Sequence, residues 1–238
     1  MKELTILHLY PHEMNLYGDH GNVLTLKRRC EWRGIKANIV AYEPGDKLPK
    51  NIDIIFGGGG QDSGQSVIQD SLHQLAPTLK SLVSAGTPAL VICGLYQLFG
   101  KFFKTFDGET IPGIGILNVE TIGGAERLIG NIVCESEEFG EIVGYENHSG
   151  QTFLSKGVQP LARVVRGAGN NGQDGFEGAR LNNLIGSYLH GPILPKNPRL
   201  ADFLISKALE NKYGDGALEP LSDAAENLAH QSSASRPR

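Results

Sequence analysis

The stretch TPALVICGLYQLFG, residues 87–100, decides the fold class. Ala89–Ile92 is too short for a helix but long enough for a strand buried on both faces. Cys93 ends that run, Gly94 permits a tight turn, and Leu95, Leu98 and Phe99 then recur at helical spacing. A strand that turns directly into a helix is the unit of a parallel sheet flanked by helices. Ligands of such sheets bind beyond the carboxyl ends of the strands, so the loops that follow strands are where chemistry is sought.

The same alternation extends in both directions. Leu4–Tyr10, Ile35–Tyr42 and Ile52–Phe56 read as strands, the last running into Gly57–Gly60. From Asn22 to Trp32, Val23, Leu26 and Cys30 share one helical face, and Gly34 ends the helix. Between Ser66 and Ser84, Ile68, Leu72, Leu75, Leu79 and Leu82 form an apolar stripe, in which Pro77 predicts a kink or break. A helix is expected over Gly94–Phe103. Strand signals then dominate: Ile114–Thr121, Leu128–Cys134, Glu141–Tyr145, Arg163–Val165 and Asn183–Leu189. A last helix is capped by Asn197, carries Pro198 in its first turn and stops at Gly214. The expectation is one α/β domain over residues 1–220 and a Ser/Ala-rich flexible tail over 221–238.

Composition bounds the function. The 238 residues are 40% apolar and 20% charged, which excludes a wholly disordered chain. A net charge of -4 without a Lys/Arg block gives no electrostatic drive toward nucleic acid or anionic membranes. No apolar run approaches the ~18–20 residues of a membrane span, and no signal-peptide pattern opens the chain. Cys30, Cys93 and Cys134 are odd in number and contain no CxxC pair, which argues against disulfides or structural zinc. A cytoplasmic location follows.

Cys93 is the most informative residue. At a strand-to-helix elbow a thiol meets free N–H groups and a helix dipole, which favour the nucleophilic thiolate, and the Gly94 N–H points where an oxyanion would form. Taken alone, such a cysteine is more often a small buried hydrophobe. His190 ends a second apolar strand, NNLIGSYLH, and two strand ends of one sheet converge on one edge. A neutral imidazole there would take the thiol proton and later protonate a leaving group, although a lone strand-end histidine is usually only hydrogen-bonded. The glycines of FGGGGQD, including Gly59 and Gly60, bare backbone N–H groups as an oxyanion cradle requires. No GxxxxGK[ST] occurs, and the GxGxxG match at 167–172 has no helix after it and reads as a turn. By chemistry alone Arg127 and the ENHSG segment, 146–150, read as a solvated charge and a turn.

These segments occur in a recognisable order: YPHEMNLYGDHGN, IIFGGGGQD, VICGLYQLFG, ERLIGN, GYENHSGQT, GAGNNGQDGFEGAR and IGSYLHGPILPKNPRLAD. From about Tyr10 to Asp202 the chain resembles the cobyric-acid-synthase-like branch of class I glutamine amidotransferases, and within it the glutaminase subunits of lipid II isoglutaminyl synthases. The resemblance implies a flavodoxin-like three-layer αβα fold with a mostly parallel sheet. It implies hydrolysis of L-glutamine to glutamate and ammonia through a thioester on Cys93, with His190 as base and then acid. Gly94, Gly59 and Gly60 would supply oxyanion N–H groups, Gln97 would shape the site, and Arg127 would hold the substrate α-carboxylate. No metal or cofactor is implied in this chain. ATP and Mg2+ belong on the implied partner, a MurT-like Mur-ligase-family synthetase forming a heterodimer and amidating the D-glutamate α-carboxyl of lipid II at the inner membrane face.

Two departures stand out. Val91 and Leu95 replace the glycines that many class I relatives place around the nucleophile, and Pro192 stands where they carry an acid that orients the histidine. Either another group of this chain orients His190 or a partner carboxylate does on docking; the expectation adopted is the partner. Two other readings fit the same residues: a glutaminase subunit for another synthetase, such as a corrinoid amidase, and a catalytically silent flavodoxin-like interaction module.

Overall fold

A computed structural model describes residues 1–238, with only the backbone described at Asp62. The chain runs β1 (Glu3–Leu9), α1 (His20–Glu31), β2 (Lys36–Tyr42), β3 (Ile54–Gly57), α2 (Asp62–Ser84), β4 (Ala89–Ile92) and α3 (Gly94–Phe99). Short strands β5 (Phe102–Lys104) and β6 (Thr110–Pro112) precede the long β7 (Val119–Ser136) and β8 (Gly140–Leu154). After β9 (Ala162–Arg166), β10 (Phe176–Glu177), β11 (Ala179–Leu181) and β12 (Leu184–Ser187) come α4 (Pro198–Tyr213) and α5 (Ala224–Ser235).

The first sheet has the order β11-β12-β4-β3-β1-β2. Its five strands from β12 to β2 are parallel and only the edge strand β11 is antiparallel. β3, β4 and β12 are apolar or small throughout and buried at every position, as strands covered on both faces must be. Parallel direction puts the ends of β1, β3, β4 and β12 on one edge, which is where the site forms.

The second sheet, β10-β9-β7-β5-β6 with β8 also on β7, is mostly antiparallel. Here local pattern and outcome differ. The two strands expected at 114–121 and 128–134 are one long β7, with a register shift between Gly123 and Leu128. Ile114, Ile116 and Leu117 are buried without being strand, because their N–H groups bond to Leu98 and Phe99 carbonyls at the end of α3. The ENHSG segment is no turn: it lies inside β8, with Glu146, His148 and Gly150 inward and Asn147 and Ser149 half-exposed. The period of two is there, but polar residues carry it. The GxGxxG match is a turn between β9 and β10, with Gly167, Gly169 and Gly172 all at positive φ.

The helices also depart from expectation in instructive ways. Pro77 neither breaks nor ends α2, since Ile68 and Leu72 before it and Leu79 and Val83 after it pack on one core. The helix expected over 94–103 stops at Phe99, because Phe102–Lys104 pairs as β5. Asn197 makes no side-chain cap on α4; it exchanges hydrogen bonds with the backbone of Val143 instead. Residues 221–238, expected as a flexible tail, carry α5. No residue of α5 is buried, so hydrophobic pattern could not announce it. Polar contacts attach it: Asp223 accepts from the buried Arg29 guanidinium at 2.6 Å, and His230 Nδ1 lies 2.7 Å from the Lys196 carbonyl oxygen.

Candidate active site

Cys93 stands between β4 and α3 with φ +47° and ψ -102°, a conformation non-glycine residues rarely adopt. Its N–H donates to the Ser187 carbonyl at 2.8 Å, so the neighbouring strand β12 fixes the elbow. The close packing this demands explains Gly57: a Cβ there would collide with Leu95.

Three residues beyond β12, His190 is fully buried, and its backbone exchanges hydrogen bonds with Tyr145 of β8. The two sheets therefore clamp the base between them. Tyr17 packs on the imidazole with centroids 4.5 Å apart. A Cβ placed on Gly59 would lie 2.8 Å from His190 Cε1 and 3.0 Å from Cys93 Cβ, so cysteine and histidine meet across this glycine. The structure thus brings together the pair expected from two strand ends.

An in-chain acid stands beside them. Asp19, in the loop after β1 and fully buried, has Oδ1 3.5 Å from His190 Nδ1 and accepts the Gly59 N–H on Oδ2 at 2.8 Å. The acid expected two residues after the histidine is Pro192, and the carboxylate beside His190 is this chain's own Asp19. The usable signal was the rule that loops after parallel strands line the site, which applies to 10–19 as it does to 57–60. Neither ring nitrogen of His190 meets hydrogen-bond geometry among the described residues, so the contacts are at ion-pair range. Burial lowers the imidazole pKa, but the Cys93 sulfur and Asp19 outweigh it and raise it to about 10. An imidazolium beside negative charge is the favoured resting state.

Gly59 does not play the expected part. Its N–H is taken by Asp19, so it serves close approach rather than oxyanion binding. Gly60 and Gly94 are the remaining expected donors, and a Cβ on Gly94 would sit 3.0 Å from the Gly60 nitrogen, so the two glycines pack closely against each other.

Cys93 opens into a cleft of about 380 Å³ whose walls include Tyr17, Gly60, Gln65, Gln97, Arg127 and Asn147. Arg127, read as a solvated charge from its chemistry and as a carboxylate binder from the resemblance, does line this cleft. Its Nε donates to Asn147 Oδ1 at 2.9 Å and its Nη2 to the Asn147 carbonyl at 3.4 Å. Gln97 is buried, its Nε2 donating to Tyr188 and its Oε1 accepting from Gln65. His148 stacks on Tyr188 at 3.6 Å with Nδ1 held by the Gly150 carbonyl, and burial drops its pKa to about 4, so it is a neutral wall. Asp19, Tyr17 and Gln65 sit in no apolar pattern, so nothing in the sequence singles them out, whereas Asn147 belongs to the polar ENHSG segment. The other two thiols lie away from this cleft in the core, where burial pushes Cys30 up to about 12 and Cys134 higher still.

Comparison with known proteins gives the family. Residues 5–198 match the model of the CobB/CobQ-like glutamine amidotransferase domain. The chain is 44% identical, over 89% of its length and 87% of the relative's, to the lipid II isoglutaminyl synthase (glutamine-hydrolyzing) subunit GatD of Staphylococcus aureus. It is 41% identical, over 89% of its length and 83% of the relative's, to the subunit of the same name in Streptococcus pneumoniae. Among solved structures, PurLQS from Thermotoga maritima superposes with a TM-score of 0.60 at 16% identity, covering 86% of this chain and 98% of that one, a likeness of fold. With the fold, the Cys93–His190 pair and the matched span all in agreement, this chain belongs to the CobB/CobQ-like glutamine amidotransferase family.

Proposed function

We propose that this chain is the glutaminase subunit of a lipid II isoglutaminyl synthase. It hydrolyses L-glutamine to L-glutamate and ammonia, and the ammonia amidates the D-glutamate α-carboxyl of the lipid II stem peptide to D-isoglutamine. The observation that carries the reading is Cys93, which meets His190 across Gly59 and lines a cleft that also holds Arg127.

The chemistry follows from the groups present. The Cys93 sulfur attacks the side-chain carbonyl carbon of glutamine, and the oxygen that gains the charge points to the Gly60 and Gly94 N–H groups. His190, held as imidazolium, gives its proton to the amide nitrogen, and ammonia leaves a γ-glutamyl thioester. Water then attacks the thioester, His190 takes its proton, and glutamate departs with the sulfur restored. Arg127 pairs with the substrate α-carboxylate, and Asp19 positions both the imidazole and the glycine loop.

Ammonia is useful only where a carboxyl has been activated. The acceptor chemistry therefore belongs to an ATP- and Mg2+-dependent partner of the Mur-ligase type, MurT-like, working at the inner membrane face where lipid II stands. Among the described residues no helix is long and apolar enough to cross a membrane.

The experiment is glutamate release from L-glutamine by the purified chain, with and without that synthetase, against Cys93→Ser. Release that requires Cys93 supports the glutaminase, and amidation of lipid II in the complex supports the acceptor. Asp19→Asn is expected to slow turnover in both the isolated chain and the complex. A loss confined to the isolated chain would assign the orienting carboxylate to the partner.

A further inference from the structure

Asp19 and His190 face each other at the heads of two segments that stay in contact beyond them. After Asp19 the chain enters α1, and after His190 it continues through residues 191–194. Two contacts join the segments. Asn22, fully buried, accepts the Leu194 N–H on Oδ1 at 2.9 Å. Gly21 stands so close to Pro192 that a Cβ on it would lie 2.5 Å from the proline Cγ. The Asp19 carbonyl accepts the Asn22 N–H at 2.9 Å, so the acid and both joining residues belong to one turn of backbone.

Backbone conformation does not account for the glycine. Gly21 is the second residue of α1 and is not at positive φ, and alanine is the better helix former. What excludes a side chain is the Pro192 ring, which is rigid and cannot fold aside as the end of a long side chain would. The neighbouring hydrogen bond is equally constrained, because the buried Leu194 N–H would lose its acceptor. Pro192 stands where many class I relatives carry the acid that orients the histidine. Here that position seats the loop bringing a different acid, Asp19, whose Oδ1 lies 3.5 Å from His190 Nδ1.

We propose that Gly21, Asn22 and Pro192 are positioning residues for this reaction: the glycine–proline contact and the Asn22–Leu194 bond set the distance between the Asp19 carboxylate and the His190 imidazole. Both contacts lie within four residues of the pair, so a displacement at either one is carried to the acid or to the base. Small misplacements of reacting groups slow catalysis far more than they weaken binding. The inference rests on the reading of Asp19 as the carboxylate that positions His190.

The test is an NMR titration of the His190 Cε1–H in the full chain, which needs no turnover, alongside kcat for glutamine hydrolysis with the synthetase present. The variants are Gly21→Ala, Pro192→Ala and the two combined. The titratable groups facing the imidazole are Cys93, Asp19 and Tyr17, with His148 beyond them, and Asp19 is the acid among them. Gly21→Ala is expected to lower the His190 pKa by about one unit or more, because the imidazolium loses part of its counter-charge. Its kcat should fall about 10-fold or more with KM little changed. Pro192→Ala removes the Cγ that the new methyl meets. The double variant is therefore expected to return to the values of Pro192→Ala alone, the non-additivity of residues in contact. Asn22→Leu keeps the volume but offers Leu194 no acceptor, and should move the pKa in the same direction. A lower kcat in Gly21→Ala with the His190 pKa unmoved, or a double variant no better than Gly21→Ala, would reduce the joint to packing and overturn the proposal. Failure of the underlying reading looks different: Asp19→Asn would itself leave the His190 pKa in place. Far-UV circular dichroism checks that the variants fold.

Discussion

Cys93, His190 and Asp19 stand buried at the edge of the parallel sheet, the first two held by backbone bonds from neighbouring strands and Asp19 by the Gly59 N–H. Arg127 and Asn147 ride on the β7–β8 ribbon, exposed or half-exposed and tied chiefly to each other. The difference divides the labour. Groups that form and break bonds sit where packing leaves them one position, and groups that recognise the substrate's far end sit where a side chain can adjust. Changes at the sheet edge should therefore lower kcat, and changes on the ribbon should raise KM.

The sharpest way to break that division is Cys93→Ser, expected to lower glutamine hydrolysis by about 10³-fold or more with the fold intact. Residual turnover near wild type would remove the sheet edge from the chemistry. Gly59→Ala comes next. Its methyl would press on both His190 and Cys93, and a fall in kcat of about 10²-fold is expected, with KM little changed. Arg127→Met probes the other side: kcat/KM should drop by about 10²-fold through KM, the loss of one charge-assisted pair. Loss through kcat instead would place Arg127 among the bond-making groups.

The smallest effect concerns the seam between the regions. Glu177 of β10 accepts from the Ser187 hydroxyl at 2.7 Å and the Tyr188 N–H at 2.8 Å, joining the second sheet to the strand end that leads to His190. Burial raises its carboxyl from 4.5 to about 7. Between those two values the folded chain keeps a proton that the unfolded chain has released, so stability declines as pH rises through the window. Glu177→Gln is expected to match wild type near pH 4 and exceed it by about 1–3 kcal/mol above pH 7, read from denaturant midpoints. A gap that does not widen with pH would show that the proton is not held.

How much of this was legible follows the same division. The parallel sheet was readable because Ile54–Phe56, Ala89–Ile92 and Leu184–Ile185 are buried on both faces and so are apolar without interruption. With it came Cys93 and His190, which end apolar runs. The ribbon was harder. Glu146 and His148 point inward, where Glu146 accepts from the Ala168 and Gly169 N–H groups and His148 Nδ1 meets the Gly150 carbonyl, so polarity there marks burial rather than a turn. Asp19 belonged to a loop whose position was readable but whose reach to His190 was not, since only the paired register of β1 and β3 sets it beside Gly59. α5 was missed because it is attached through charge, Arg29 to Asp223, and not through an apolar face.

The backbone at Cys93 carries a last consequence. At φ +47° only glycine is at ease, yet glycine has no sulfur. A random search for sturdier variants of this protein would be drawn to Cys93→Gly, which relaxes the elbow by about 1–3 kcal/mol while erasing turnover. Selection for thermal endurance and selection for catalysis pull in opposite directions at this one codon, and a melting-temperature screen run without an activity filter would enrich dead protein.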